Sequence, residues 1–204
     1  MQLIGIRNIA IGAGSSIGDN VWLNICERDQ QLRMRIGRVV LIGRGSMIST
    51  GGYLEMGDYC LTGPGVFVGD ADHVFEDIYQ PVLQQGATLG RSVVIEENCW
   101  LGKNAVVSGH LTVGRGSVIG ANSVVTRDIP PFSVVAGNPG VIVKMYNPVS
   151  ATWERTVGAG DIERQMRIRE QAPVPDRSTY QALLTQNAKI SAIDPLVAGG
   201  GRCI

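Results

Sequence analysis

Apolar and polar positions along this chain repeat every six residues. From residue 89 to 131 the first letter of each six is branched and aliphatic: Leu89, Ile95, Leu101, Val107, Val113, Ile119 and Val125, with Pro131 closing the series. The second letter is often Gly (Gly90, Gly102, Gly114, Gly120). The fifth is small or short (Val93, Cys99, Ala105, Leu111, Ser117, Ser123). A period of six matches neither an amphipathic helix nor a half-buried hairpin strand. It predicts a solenoid whose units, one short strand and a turn each, must stack to bury their aliphatic residue. Three such units, about 18 residues, return the chain to its starting face and make a three-sided prism. Each buried aliphatic side chain contributes roughly 1.5–3 kcal/mol before entropy is subtracted. The recurrent Gly reads as a corner residue, free where a Cβ would restrict the backbone.

Residues 1–69 keep the same count less regularly, through Ile11-Gly12, Ile17-Gly18 and Leu23, then Ile36-Gly37, Ile42-Gly43 and Ile48. A polar stretch at 27–35 (ERDQQLRMR) interrupts the count and reads as a loop. A two-residue slip follows near Tyr53, before Met56-Gly57, Thr62-Gly63 and Val68-Gly69. Residues 70–88 (DADHVFEDIYQPVLQQGAT) break the period completely, and hexads resume at Leu89. A loop of that length inside a solenoid is functional or disordered. Phe75, Ile78, Tyr79, Val82 and Leu83 argue for order, with the excursion packing on something such as a neighbouring subunit. After FSVVAGNPGVIVKMYNP the character changes. Residues 161–171 read as weakly helical and 178–188 as a helix capped by Ser178 or Thr179, with Tyr180, Leu183, Leu184 and Asn187 on one face. Pro173, Pro175 and Pro195 punctuate this part, and Gly199-Gly200-Gly201 reads as a flexible tail. The chain thus divides into a solenoid at 1–148, with its excursion at 70–88, and a partly helical extension at 149–204, where a cap would protect the open edge of the last coil.

Composition narrows the function. Among 204 residues, 44% are hydrophobic, only 5% aromatic, and 27 are Gly, as suits a lean repetitive fold. The formal net charge is zero and no block of like charge occurs, which weighs against nucleic-acid binding. The four cysteines (Cys26, Cys60, Cys99, Cys203) have no metal-type spacing, and Cys99 and Cys60 fall on small inward positions as buried free thiols. The repeat is entered at once at residues 3–6, with no leader and no long apolar span, so a cytoplasmic location without membrane insertion is expected.

The only histidines are His73, within DADHVFEDIYQP, and His110, within VVSGHLTVG. The first motif, followed by QPVLQQG, VIEENCWLGKNAVV and GRGSVIGANSVVTRDIPPFSVVAGNPGVIVK, resembles the hexapeptide-repeat acyltransferases, in particular the maltose/galactoside and polysaccharide-modifying sugar O-acetyltransferases. The likeness covers roughly residues 36–145 and is strongest from 89 onward. It implies an all-β solenoid, a left-handed parallel β-helix of hexapeptide repeats; general parallel crossovers are right-handed. It implies an acetyl-CoA-dependent transfer to a sugar hydroxyl of a glycan or glycan precursor, in a homotrimer whose adjacent prisms share the CoA groove. His73 is then the general base, with Asp70, Asp72, Glu76 or Asp77 as the carboxylate orienting it. His110 reads as a surface corner residue.

For CoA, the resemblance assigns Trp100 to the pantetheine arm, where an edge aromatic at a subunit contact is the rival reading. Gly102, Lys103, Gly120 and Ala121 present backbone to the arm, or simply serve the corner. Thr126 and Arg127 match a Thr-Lys pair, and Arg127 and Lys144 are cations for the 3′-phosphate. Val141 stands where the family has a second basic residue, and Lys103 where a Ser is common. On the acceptor side the nearest candidates are Ser49, in MISTGG, and Asp70. Acetyl-CoA acts as co-substrate, with no permanently bound cofactor and no metal; two histidines cannot supply the His₃ zinc site of a carbonic anhydrase on this fold. The alternatives are N-acetylation of an amino-sugar nucleotide, and a non-catalytic β-helix assembly module.

Overall fold

The six-residue period is realised as short strands that wind around a three-walled column in the computed structural model, which describes residues 1–188. Pro195, the glycines at 199–201 and Cys203 lie outside the described residues. The strands, in order, are β1 (Gln2–Ile4), β2 (Ile9–Ile11), β3 (Ser16–Ile17), β4 (Trp22–Ile25), β5 (Met34–Ile36), β6 (Leu41–Ile42), β7 (Met47–Thr50), β8 (Tyr53–Met56), β9 (Leu61–Thr62), β10 (Phe67–Gly69) and β11 (Asp72–His73). Then follow β12 (Ala87–Thr88), β13 (Ser92–Ile95), β14 (Trp100–Leu101), β15 (Val106–Ser108), β16 (Leu111–Val113), β17 (Val118–Ile119), β18 (Val124–Val125), β19 (Ser133–Ala136), β20 (Val141–Asn147) and β21 (Thr152–Arg155).

The first wall is β1-β4-β7-β10-β15-β18, and the second β2-β5-β8-β13-β16. The third runs β3-β6-β9-β14-β17-β19 and is extended by β20 and β21. Pairing within the coils is parallel, so identical hexad positions stack. In the first wall Leu23 meets Ile48, Val68, Val107 and Val125 in turn. In the second, Ile36 meets Met56, Ile95 and Val113. In the third, Leu101 meets Ile119 and Val135. All of these are at most 1% exposed, as the period predicts. The small fifth positions, from Val93 to Ser123, are buried beside them.

The glycines serve a different purpose from the one expected. At Gly43, Gly63 and Gly102 the backbone is ordinary, but a Cβ would stand 2.4 Å from Gly63 C, 2.7 Å from Lys103 N and 2.6 Å from Ala121 N of the next coil. Close stacking of coils excludes a side chain there. The left-handed backbone falls two residues later, at Gly45, Gly65, Asn20, Asn104 and Asn122, where Gly and Asn are the residues best able to adopt it.

The walls are rejoined after the excursion at Ser92 rather than at Leu89. Leu89 is 55% exposed, lying over the backbone of Gly51, and Gly90 is left-handed. Its branched side chain fits the six-letter count, but the chain has not yet returned to the prism.

The last coil is closed by antiparallel β20 and β21 and by α2 (Ala159–Gln171), all within one compact unit of residues 1–173. Arg169 fastens this cap. Its guanidinium donates to Pro131 O (2.7 Å), Phe132 O (3.0 Å) and Tyr146 O (2.8 Å), carbonyls at the end of the ladder, of which Phe132 O also accepts the Tyr146 N–H (3.0 Å). Burial, helped by nearby Arg115, brings its pKa down to about 10, so it is still charged at neutral pH. A second unit begins at Val174 and contains α3 (Arg177–Asn187). Its cap is Asp176 rather than Ser178 or Thr179: Oδ1 accepts the Thr179 N–H at 2.8 Å, and that bond, with the Ser178 and Thr179 hydroxyls, holds the carboxyl at about 2.

Candidate active site

Strand pairing shows where the solenoid accepts extra residues. Val106 pairs with Val124, 18 residues on, but Met47 pairs with Phe67 at 20, Trp22 with Met47 at 25, and Phe67 with Val106 at 39. Every surplus enters between the first wall and the second. At that corner stack the loop of residues 26–33, the pair Gly51-Gly52, the excursion of residues 70–91, Gly109-His110 and the turn at residues 126–128.

Asp70 roots the excursion. Although a carboxylate, it is 1% exposed, and its oxygens are fully engaged. Oδ1 accepts Gly51 N–H (2.7 Å), and Oδ2 accepts the Thr50 hydroxyl (2.6 Å) and the N–H groups of Gly52 and Tyr53 (3.1 Å each). The two extra glycines let the chain fold its N–H groups around this anion, a backbone nest. Asp70 therefore ties the preceding coil to the foot of the excursion.

Immediately beyond, β11 and β12 pair antiparallel, His73 opposite Ala87 and Asp72 opposite Thr88. His73 is exposed, and its imidazole takes no hydrogen bond among the described residues. Asp72 accepts the His73 N–H (3.1 Å), Glu76 the Phe75 N–H (2.9 Å) and Asp77 the Tyr79 N–H (2.9 Å), so the carboxylates named from the sequence hold backbone and not the ring. Gln85, on the short helix α1 (Val82–Gln85), braces the loop through Asp77 O and Gln80 O at 2.8 Å each. The outer surface of the loop is apolar: Ile78, Tyr79 and Leu83 are each more than 80% exposed.

Beside this root, Ser49 is nearly buried. Asn24 Nδ2 donates to its Oγ at 3.0 Å and to Cys26 Sγ at 3.4 Å, and Cys26 lies 3.8 Å from the same hydroxyl. Sequence reading missed Asn24 and Cys26, because the loop of residues 26–33 hides the register that sets Asn24 opposite Ser49. His110 stands at the same corner, where its Nδ1 accepts the N–H of Ser92 at 3.0 Å and so holds the excursion's returning limb.

Most of the residues assigned to CoA fall elsewhere on the prism; Thr126 and Arg127 share the excursion's corner. Gly102-Lys103 and Gly120-Ala121 stack at the corner between the third and first walls, and Trp100 projects from the third wall, 51% exposed, between Leu61 and Val118. Lys144 belongs to β20 on that same wall. Thr126 and Arg127 lie at the first corner, where Arg127 Nη2 donates to Gly140 O at 3.4 Å. Arg127 also lines a cavity of about 640 Å³ at the end of the column, with Asp128, Val141, Ile142, Thr156 and Ile162. Within one chain, then, His73 and the Trp100 group stand on opposite edges of the first wall, which is about 13 Å wide for a four-residue strand.

Residues 92–127 match the model of the bacterial transferase hexapeptide (six repeats) family. The chain thus carries a hexapeptide-repeat domain and shares the left-handed parallel β-helix of the hexapeptide-repeat acetyltransferases. Among solved structures it is similar to a hexapeptide-repeat acetyltransferase from Vibrio cholerae complexed with acetyl-CoA, at 28% identity and TM-score 0.58, over 68% of this chain and 70% of that one. AntD, an N-acyltransferase from Bacillus cereus, shares the fold at TM-score 0.60 and 16% identity, over 85% of each chain. A probable acetyltransferase from Mycobacterium tuberculosis is 30% identical over 172 residues, 80% of this chain. The chain spans 55% of that relative's length.

Proposed function

We propose that this protein transfers an acetyl group from acetyl-CoA to a sugar hydroxyl of a glycan or glycan precursor, with His73 as general base. The observation that carries the reading is the single corner on which every insertion of the solenoid stacks: the excursion with the exposed His73 leaves from it just after Gly69, whose strand partner is Ser49, the residue bonded to Asn24. The acetyl-CoA bound by the similar Vibrio cholerae protein supports the choice of donor.

Acetyl-CoA is already activated, so the protein has to position an acceptor and take its proton. The His73 imidazole accepts the hydroxyl proton as the oxygen attacks the thioester carbonyl. The tetrahedral oxyanion collapses, the C–S bond breaks, and the imidazolium returns its proton to the departing CoA thiolate. No enzyme-bound acyl intermediate is needed. The separation of His73 from Trp100, Lys103 and Lys144 within one chain favours a homotrimer, in which the first corner of one prism faces the third wall of the next and the exposed Ile78, Tyr79 and Leu83 are covered. Free Cys26, Cys60 and Cys99 suit a reducing cytoplasm. No helix among the described residues is long and apolar enough to cross a membrane.

Release of CoA thiol against free sugars, nucleotide sugars and lipid-linked oligosaccharides tests the proposal. His73→Ala should lower turnover roughly 10²–10⁴-fold while leaving CoA affinity intact. Wild-type rates in that variant would refute the assignment. Lability of the product to mild base separates an ester from the amide that N-transfer to an amino sugar would give.

A further inference from the structure

Among the described residues the His73 imidazole takes no hydrogen bond, so its place follows from the β11–β12 hairpin alone. There His73 faces Ala87, and the Asp72 N–H and O both meet the Thr88 hydroxyl, at 3.0 and 3.1 Å. A two-residue ladder on an exposed loop is only as steady as the feet on which it stands. The preceding coil holds both feet. Its Tyr53 N–H is shared between Asp70 Oδ2 at the departing end and Arg91 O at the returning end, 3.1 Å each. The following coil holds both again, through one dipeptide. Gly109 N–H donates to Gly69 O (3.0 Å), and His110 Nδ1 accepts the Ser92 N–H (3.0 Å).

The last of these bonds departs from the ladder. Elsewhere a strand's first N–H goes to the carbonyl just before its partner in the next coil, as Tyr53 uses Arg91 O, Trp100 uses Ser117 O and Val106 uses Ser123 O. Val93 pairs with Leu111, so by that register Ser92 would use Gly109 O. Gly109 instead takes φ 126°, a backbone that favours glycine, and the ring of His110 stands in for the carbonyl. Accepting an N–H at Nδ1 leaves the ring proton on Nε2. We infer that His110 is a positioning residue for the proposed base: its Nδ1 closes the foot of the excursion where the ladder does not, and so keeps β12, and with it His73, in place. The inference rests on the acyl-transfer reading. Without the ring, the departing end keeps the four bonds of Asp70, while the returning end loses this tie to the following coil. The hairpin can then pivot about Asp70, and His73, three residues on, moves with it.

Steady-state acetyl transfer and hydrogen exchange of the full chain, measured on three variants, test the role. In Asn the side-chain oxygen is bonded to Cγ, as Nδ1 is in imidazole; in Gln it lies one atom further out. His110→Asn should therefore keep most of the turnover and the wild-type exchange in β11 and β12. His110→Ala and His110→Gln should lower kcat about five- to tenfold, the measure of one lost hydrogen bond, leave the Kd for CoA unchanged, and speed exchange at Ser92 and in β12. Equal losses in all three variants would mean that the ring acts otherwise than by accepting that N–H. Wild-type turnover in His110→Ala, or lost turnover with unchanged exchange, likewise overturns the positioning role and leaves the transferase reading standing. A chain with the expected exchange that moves acetyl to no acceptor loses the transferase reading, while the foot stands as described.

Discussion

Replacing Asp70 by Asn tests whether the excursion is rooted as described, since the two side chains have nearly the same shape. In the native structure four donors converge on the carboxylate, at 2.6, 2.7, 3.1 and 3.1 Å, in a site 1% exposed. Asn does least damage if its oxygen keeps the three donors now at Oδ2 and its NH₂ faces Gly51 N–H. One buried donor is then orphaned, at about 1–3 kcal/mol, and three bonds lose their ionic component, at about 0.5–1 kcal/mol each. Removing a buried charge returns part of this, because the neutral amide needs less solvation. The net is about 2–4 kcal/mol of destabilisation. For a unit of this size each kcal/mol lowers Tm by roughly 2–4 °C, so differential scanning calorimetry should read a fall of about 5–15 °C. Asp72→Asn is the control: Asp72 is exposed, and its carboxylate accepts only the N–H of its own neighbour, so Tm should stay within about 2 °C. If Asp70→Asn melts with the wild type, the nest contributes nothing and the anchoring argument is wrong.

Val39 is a half-buried β-branched residue held at φ 56° at a corner where other coils use Gly14, Asn98 or Gly116; Val39→Asn should raise stability by about 1 kcal/mol in urea unfolding, and a loss would show that Val39 packs usefully. Arg169→Met removes the charged donor from the carbonyls of Pro131, Phe132 and Tyr146, of which Phe132 O keeps the Tyr146 N–H, and should cost about 2–3 kcal/mol, with hydrogen exchange rising first in β20 and β21. Glu154 is held below its ordinary 4.5, first by the Ser150 hydroxyl and then by the amides of Gln165 and Asn147. Its folded pKa is depressed, so its contribution is present above pH 4.5 and lost as pH falls through the lower folded value. Glu154→Gln should therefore flatten the acid-side decline of Tm, and identical wild-type and variant profiles would refute this.

The columns of the prism were readable because a stacked coil makes the same demand at each turn, and Val68, Val107 and Val125 answer it in register. The period misled where local spacing and three-dimensional return diverge. Leu89 fits the count but precedes re-entry at Ser92, and Asp176 caps α3 from outside the expected pair. The glycines were placed correctly for the wrong reason, because the approach of Gly43 to the next coil leaves no trace in one coil's own letters. Sites made by proximity across coils were least legible. Ser49 could be named, but Asn24 lies 25 residues away behind a loop, and His110 reaches Ser92 only once the excursion returns to the prism.

The position of the insertions carries the functional argument further than any single residue does. A solenoid tolerates extra residues at any of three corners, because each is exposed and its loop need only return to the same register. Here residues 26–33, 51–52 and 70–91 all leave by one corner, and the other two keep tight turns throughout the described coils. Tolerance alone would scatter insertions among corners. Concentration means that one edge is elaborated while the other two stay free to pack. The elaborated edge carries His73, the base proposed above, and the wall that begins one edge away carries Trp100 and Lys144. In a single chain these two surfaces diverge around the prism. They converge only when a second column sets its third wall against the first corner of its neighbour, so a chain kept monomeric by charge substitutions at Ile78 and Leu83 should still fold and still bind pantetheine weakly, yet turn over no acceptor. Full activity in a species shown by sedimentation to be a monomer would place the donor on the excursion's own edge and undo this geometry.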